Sequence, residues 1–175
     1  MEVGVQSFDD TVLSADERGH SAEQAIKAIG LLRENMFEFV IQLMPGLPMA
    51  DNDSDIRSAC IAANYVPNAV RIYPTVVLQG TKLEKMYRED NYRPLQLEQA
   101  IALSKDMYHI FSEKNITIIR MGIHPFSDQE MQKIVAGPYH QAFGFLVKCR
   151  SKRDILEDRV GEYLKKHPTG KVSII

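Results

Sequence analysis

Cysteine is scarce in this chain, and so are charge imbalance, long apolar runs and metal-ligand spacings. Its 175 residues include two cysteines, Cys60 and Cys149, far apart in sequence. That excludes a disulfide framework and a zinc knuckle, and a reducing cytoplasm is the location this usage predicts. The net charge of −2 gives no electrostatic case for nucleic acid or anionic membrane as an obligatory partner. One basic run, Lys148–Arg153, is followed by Asp154, Glu157 and Asp158, which predicts a solvated helix face. No stretch approaches the roughly 18 apolar residues of a membrane helix, and no secretory signal pattern is visible. His124, His140 and His167 lack the spacing of metal ligands. There is no Gly-x-Gly-x-x-Gly, phosphate loop, nucleophile elbow, His-Glu-x-x-His or Cys-x-x-Cys.

What is there has the profile of one globular domain, 45% hydrophobic and 25% charged. Apolar runs alternate with amphipathic helical patterns. Strands are expected at Val3–Gln6, Phe37–Met44, Ala69–Tyr73 and Asn115–Met121. Ser21-Ala22-Glu23-Gln24 has the form of a capping box and opens a helix carrying Ala22, Ala25, Ile26, Ile29 and Leu32. Asp51–Asp55 caps a second helix with Ile56, Ala59, Cys60 and Ala63 on its inner face, which makes Cys60 a small core residue. Helices near 81–88 and 95–114 follow. This serial βα order predicts an α/β fold with parallel strands and right-handed crossovers. Val40-Ile41 and Ile116–Met121 are apolar on both faces, as buried parallel strands are. A partial (β/α) barrel and an open doubly wound sheet both fit. After Met121 the pattern turns mostly helical, at 128–135, 139–149 and 152–166, and Lys171–Ile175 is expected to be a final strand.

In parallel α/β architectures ligands gather at the C-terminal ends of the strands. That rule selects Gln6 and Ser7, Gln42 and Met44, Arg71, Tyr73 and Thr75, and Arg120 and His124. Gln6, Gln42, Arg71 and Arg120 are polar side chains inside apolar strands, a costly placement unless they are satisfied. Any one of them could simply be a hydrogen-bonded interior residue; four on successive strands predict a ligand pocket. Pro45–Pro48 fixes a rigid loop at the same end. Arg18, before a helix, could hold an anionic group or lie solvated.

The ordered series Gly4-Val5-Gln6-Ser7-Phe8, Arg18-Gly19-His20, Met44-Pro45-Gly46-Leu47-Pro48, Arg71-Ile72-Tyr73-Pro74-Thr75, Gly80-Thr81-Lys82-Leu83-Glu84 and Tyr92-Arg93-Pro94-Leu95 resembles the second half of the radical S-adenosylmethionine (SAM) domain of the elongator catalytic-subunit group. It is most similar to bacterial members that lack the acetyltransferase domain. Ala136–His140 and Ala142–Gly144 resemble the tail of those proteins. The oxygen-independent coproporphyrinogen oxidase group shares part of the series but lacks the Tyr-Pro-Thr and Gly-Thr-x-Leu stretches.

The resemblance implies the C-terminal half of a radical SAM TIM-like barrel over residues 1–124 and a mostly helical, family-specific extension over 125–175. It also implies a [4Fe–4S] cluster that reduces bound SAM to a 5′-deoxyadenosyl radical. Carried over by position, Gln6, Arg18, Gln42, Arg71 and Tyr73 are the cofactor-binding residues, with Arg18 the partner of the SAM carboxylate. Relatives usually have aspartate or histidine where Gln42 stands. The Cys-x-x-x-Cys-x-x-Cys that holds the cluster has no counterpart here, nor does the glycine-rich segment that meets the SAM amino group, and no metal ligand is assigned. The expectation is therefore a radical SAM portion that is inactive alone and binds neither cofactor stably. It would self-associate or pair with a cluster-bearing half through open barrel edges, with tRNA a partner of the full-length protein and no membrane involved. The alternatives are an oxygen-independent coproporphyrinogen III oxidase-like radical SAM oxidoreductase and a non-enzymatic SAM, adenosine or substrate binding module.

Overall fold

The computed structural model describes residues 1–167; the strand expected at Lys171–Ile175 lies outside the described residues. Strand β1 (Glu2–Gln6) leads through helices α1 (Asp10–Ala15) and α2 (Ala22–Glu34) to β2 (Val40–Leu43). Helix α3 (Asn52–Asn64) connects to β3 (Ala69–Ile72). The short β4 (Val77–Leu78), α4 (Lys82–Arg88) and α5 (Leu97–Glu113) then lead to β5 (Thr117–Met121). Helix α6 (Asp128–Met131), β6 (Ile134–Ala136) and α7 (Phe143–Lys166) complete the described chain. The main sheet has the order β1-β2-β3-β5 and every pairing in it is parallel. No described helix is long and apolar enough to cross a membrane.

Local chemistry places these elements. Ser21 and Gln24 close the expected capping box on α2, and Asp51 and Ser54 close another on α3, each satisfying two of the N–H groups a helix start leaves open. The inward residues of the sheet, Val5, Ile41, Leu43, Val70 and Ile72, form one core with Ile29 of α2, Ala59 and Ala63 of α3, Met107 and Phe111 of α5, and Phe143 and Val147 of α7. Each large side chain buried there contributes roughly 1.5–3 kcal/mol. All these helices cover one face of the sheet. The other face carries Gly4, Gln42 and Arg71.

Several expectations needed correction. β2 has four residues, because Met36 takes a left-handed φ of 56° and Phe37 and Glu38 stand exposed before it. Among the described residues β5 is an edge strand rather than a doubly buried one: Thr117, Ile119 and Arg120 are exposed, since helices cover only one face and no described strand lies beyond. Cys60 is exposed. The buried stripe of α3 runs through Ser54, Asp55, Ser58, Ala59, Ala62 and Ala63, rotated toward polar residues that find partners. Ser58 Oγ, for one, accepts from the Phe8 amide at 2.9 Å. Ile26 of α2 is likewise exposed.

After Met121 the helix expected at 128–135 stops at Met131, and the residues after Lys133 pair antiparallel with β4 instead. The two expected helices at 139–149 and 152–166 are one, α7, because nothing in Cys149-Arg150-Ser151 breaks a helix. This later segment is fastened to the earlier one. A side chain on Gly137 (φ 112°) would meet Thr75 O and Val76 Cα, each at 3.1 Å, and one on Gly122 would strike Phe143 Cβ at 2.7 Å.

Candidate functional site

One rung of the sheet runs Gly4–Gln42–Arg71–Arg120 across all four strands. The residues flanking the rung in β2, β3 and β5, namely Ile41, Leu43, Val70, Ile72 and Met121, lie in the core. Alternation therefore turns Gln42, Arg71 and Arg120 to the uncovered face. Both edge strands are irregular at this level. The β1–β2 register shifts between Gly4 and Gln6, and the β3–β5 register shifts by one residue at Ile119.

The first shift explains the Gly4-x-Gln6 pattern. Gln6 has φ 66°, a left-handed conformation uncommon outside glycine, which turns its side chain back along the strand. Its Nε2 lies 2.8 Å from the position a Cβ on Gly4 would take. Its Oε1 accepts from Gln42 Nε2 at 3.0 Å. Glycine at position 4 is thus the room into which the Gln6 amide folds. On the next strand, Arg71 Nη1 donates to the Tyr73 hydroxyl at 3.3 Å and lies 3.3 Å from Glu2 Oε2. Arg71 Nε is buried without a hydrogen-bond partner, a group whose desolvation is uncompensated in this state.

At the C-terminal end of β2, the Met44–Pro48 loop is held by groups from three later segments. The buried Asp55 accepts from the Gly46 amide at 2.9 Å, and the Tyr92 hydroxyl donates to Gly46 O at 2.6 Å. Thr75 donates its backbone N–H and its hydroxyl to Pro45 O, at 2.9 and 3.1 Å. Gly46 takes φ 81°, and a side chain there would strike Leu95 Cδ1 at 2.9 Å. Burial pushes the Asp55 carboxyl up from 3.8 to about 7; the Gly46 hydrogen bond opposes that shift and the nearby Asp51 charge adds to it. Burial also pushes the Tyr92 phenol up, helped by Asp16 and Asp55, so Tyr92 stays a protonated donor.

Arg18 stands at the same end. Its Nε donates to Asp16 Oδ2 at 2.8 Å, and its Nη2 reaches Met44 Sδ at 3.5 Å. Lys82 at the start of α4 pairs with Glu17 beside it. His20 Nε2 is 3.3 Å from Val5 O, a contact that holds the loop to β1. Of the residues chosen from sequence, Gln6, Gln42, Arg71 and Tyr73 therefore share one hydrogen-bonded face. Arg18 joins them through Met44 at the strand end and carries its own counterion. Sequence reasoning did not find Asp55 or Tyr92. An acidic residue inside the first turns of a helix looks like ordinary capping, and only its fully buried position separates it from the exposed Asp53.

The open face has amide and guanidinium groups that fit a polar ligand such as SAM, and the orphaned Arg71 Nε gives a direct reason to expect one. An iron–sulfur cluster does not fit this chain. Such clusters are held by grouped thiolates, whereas Cys60 and Cys149 are exposed on different helices, α3 and α7. The described residues include no group of three or more His, Cys, Asp or Glu placed to hold a metal ion.

Residues 67–153 match the family described as the Radical_SAM C-terminal domain. The class is therefore that of radical SAM proteins. The tRNA uridine(34) acetyltransferase of Methanocaldococcus infernus is 35% identical over 104 residues, covering 58% of this chain and 20% of that protein. Elongator complex protein 3 of Mus musculus is 29% identical over 106 residues, 59% of this chain and 19% of its own length. The solved structure of M. infernus Elp3 with an N-terminal deletion superposes with a TM-score of 0.74 at 28% identity, over 87% of this chain and 35% of that one. Within the radical SAM proteins the chain belongs to the Elp3-like group and corresponds to its C-terminal portion. It spans about a fifth of the length of the curated relatives it matches.

Proposed function

We propose that this chain forms the SAM- and substrate-facing wall of a radical SAM site devoted to tRNA modification. Its four-stranded sheet is then part of a (β/α) barrel wall, with the open face turned inward. The observation that carries this reading is the rung Gly4–Gln42–Arg71–Arg120, with the Gln6 amide folded across Gly4 onto Gln42. The names of relatives such as the tRNA uridine(34) acetyltransferases supply the substrate class.

In this reading Gln6 and Gln42 hold polar groups of SAM, and Arg71 and Tyr73 face its far end or the substrate. Arg18 exchanges Asp16 for the SAM carboxylate. The Met44–Pro48 loop forms a rigid rim because Asp55, Thr75 and Tyr92 hold its peptide groups. Cluster and SAM, when bound, would supply radical chemistry, and the thiolates for the cluster would come from cysteine-bearing polypeptide paired with the open edge of β1. This chain alone is then inert, and the assembled protein works in the cytoplasm.

Calorimetry with SAM tests the pocket. Weak binding that is lost in Arg18→Ala supports it, and a heat signal indifferent to that change refutes the assignment of Arg18. Anaerobic iron–sulfur reconstitution tests the division of labour. A stoichiometric cluster absorption on this chain alone would overturn it, and gain of a cluster only on mixing with a Cys-x-x-x-Cys-x-x-Cys-bearing partner supports it.

A further inference from the structure

The register shift in β5 has a chemical result. Without it, Ile119 would stand beside Arg71 and the side chain of Arg120 would turn to the core. With it, Arg120 is the Cα partner of Arg71, on neighbouring strands about 4.8 Å apart. Bulges commonly re-aim a side chain near a site. Here the outcome is two arginines at one level of adjacent strands on one face, with the Arg71 guanidinium drawn over β2 toward Glu2 and free to turn back toward Arg120 only when Glu2 releases it. Glu2, reaching across from β1, gives Arg71 one carboxylate oxygen at 3.3 Å. Arg120 has no ion pair among the described residues, and Arg71 Nε is buried without a partner. Arg71, Arg120 and Glu2 together carry one positive charge in excess, and Lys148 lines the same cavity as Arg120.

We propose that Arg71 and Arg120 form an anion subsite that takes a phosphate group of a small ligand, with Glu2 as the internal competitor that the phosphate displaces. Phosphate fits better than a second carboxylate, since it can accept from both planar guanidinium forks at once and match two positive charges. Gln42, next on the rung, supplies an amide beside it. A small ligand fits better than a polynucleotide, because the rung crosses only four strands, about 14 Å, and Arg71 Nε is sealed from solvent. The subsite rests on the reading of this face as ligand-binding, but not on SAM being what Arg18 meets.

The test is calorimetric titration of the 175-residue chain with inorganic pyrophosphate at low ionic strength. Arg120→Gln, at an exposed edge position, is expected to weaken binding about tenfold, the loss of one charge-assisted contact. Glu2→Gln is expected to tighten it about three- to tenfold by removing the competitor. Arg71→Lys keeps the charge but not the fork and is expected to weaken it, with circular dichroism confirming the fold. No binding at millimolar pyrophosphate, binding indifferent to Arg120→Gln, or weaker binding in Glu2→Gln would each overturn the subsite. Preference for a short RNA over pyrophosphate at equal phosphate concentration would overturn the small-ligand assignment. Because the ligand and the variants differ from those of the SAM titration, either assignment can fail while the other stands.

Discussion

Asp55→Asn should change how stability depends on pH. Asp55 is buried under the Met44–Pro48 loop with its carboxyl raised from 3.8 to about 7. A raised carboxyl pKa means the folded state binds the proton more tightly than the unfolded chain does. The contribution of the group to stability is therefore most favourable below the unfolded value and is lost as pH rises through the folded one. A shift of about three units corresponds to about 4 kcal/mol in full. Between about pH 5 and pH 8 roughly 2–3 kcal/mol of it falls away. Asparagine keeps an oxygen for the Gly46 N–H and has no proton to lose in this range. Urea unfolding followed by far-ultraviolet circular dichroism suits a chain without tryptophan. Across that interval wild type should lose roughly 2–3 kcal/mol relative to Asp55→Asn. Parallel pH profiles for the two proteins would refute the buried-carboxyl account, and a difference of opposite sign would mean that the loop hydrogen bond outweighs desolvation.

Two further perturbations follow from the same contacts. Gly4→Ala drives a methyl group into the Gln6 amide. It should cost about 1 kcal/mol of stability and weaken SAM binding more than Gln42→Ala does, as calorimetry would reveal. Tyr92→Phe leaves Gly46 O without its 2.6 Å donor and should cost about 1–3 kcal/mol. Its proteolysis pattern should open at the Met44–Pro48 loop before the rest of the fold.

Much of the main sheet was legible from alternation and helix caps, because parallel strands separated by amphipathic helices leave a strong local pattern. Ser21 and Asp51 announced their helices correctly, and the motif positions 6, 42, 71 and 73 fell on one face. Features that depend on distant partners were not legible. The pairing of β4 with β6 joins Val77-Leu78 to Ile134–Ala136 across more than fifty residues, and neither segment is long enough to stand out. The exposure of β5 follows from its place at the sheet edge, not from its composition, so Ile119 looked like core. Cys60 was misplaced because a helix of small residues defines its buried stripe weakly: one step of rotation exchanges it for Ser58. The left-handed Gln6 has no signature of its own, except that a glycine stands two residues before it.

The loop after β2 has a consequence for anyone who would move it. In Pro45–Pro48 the two proline rings fix their own φ angles, but the peptide groups between them are held by distant partners. The partners of its peptide groups are Asp55, Thr75 and Tyr92, with the Leu95 side chain filling the space beside Gly46. Transplanting the loop into another scaffold would leave those fasteners behind. Synthesis imposes the same dependence, since this rim cannot set until residue 95 has emerged and α5 has begun to dock. The binding end of the sheet is thus assembled late, by chain that is itself not part of the pocket.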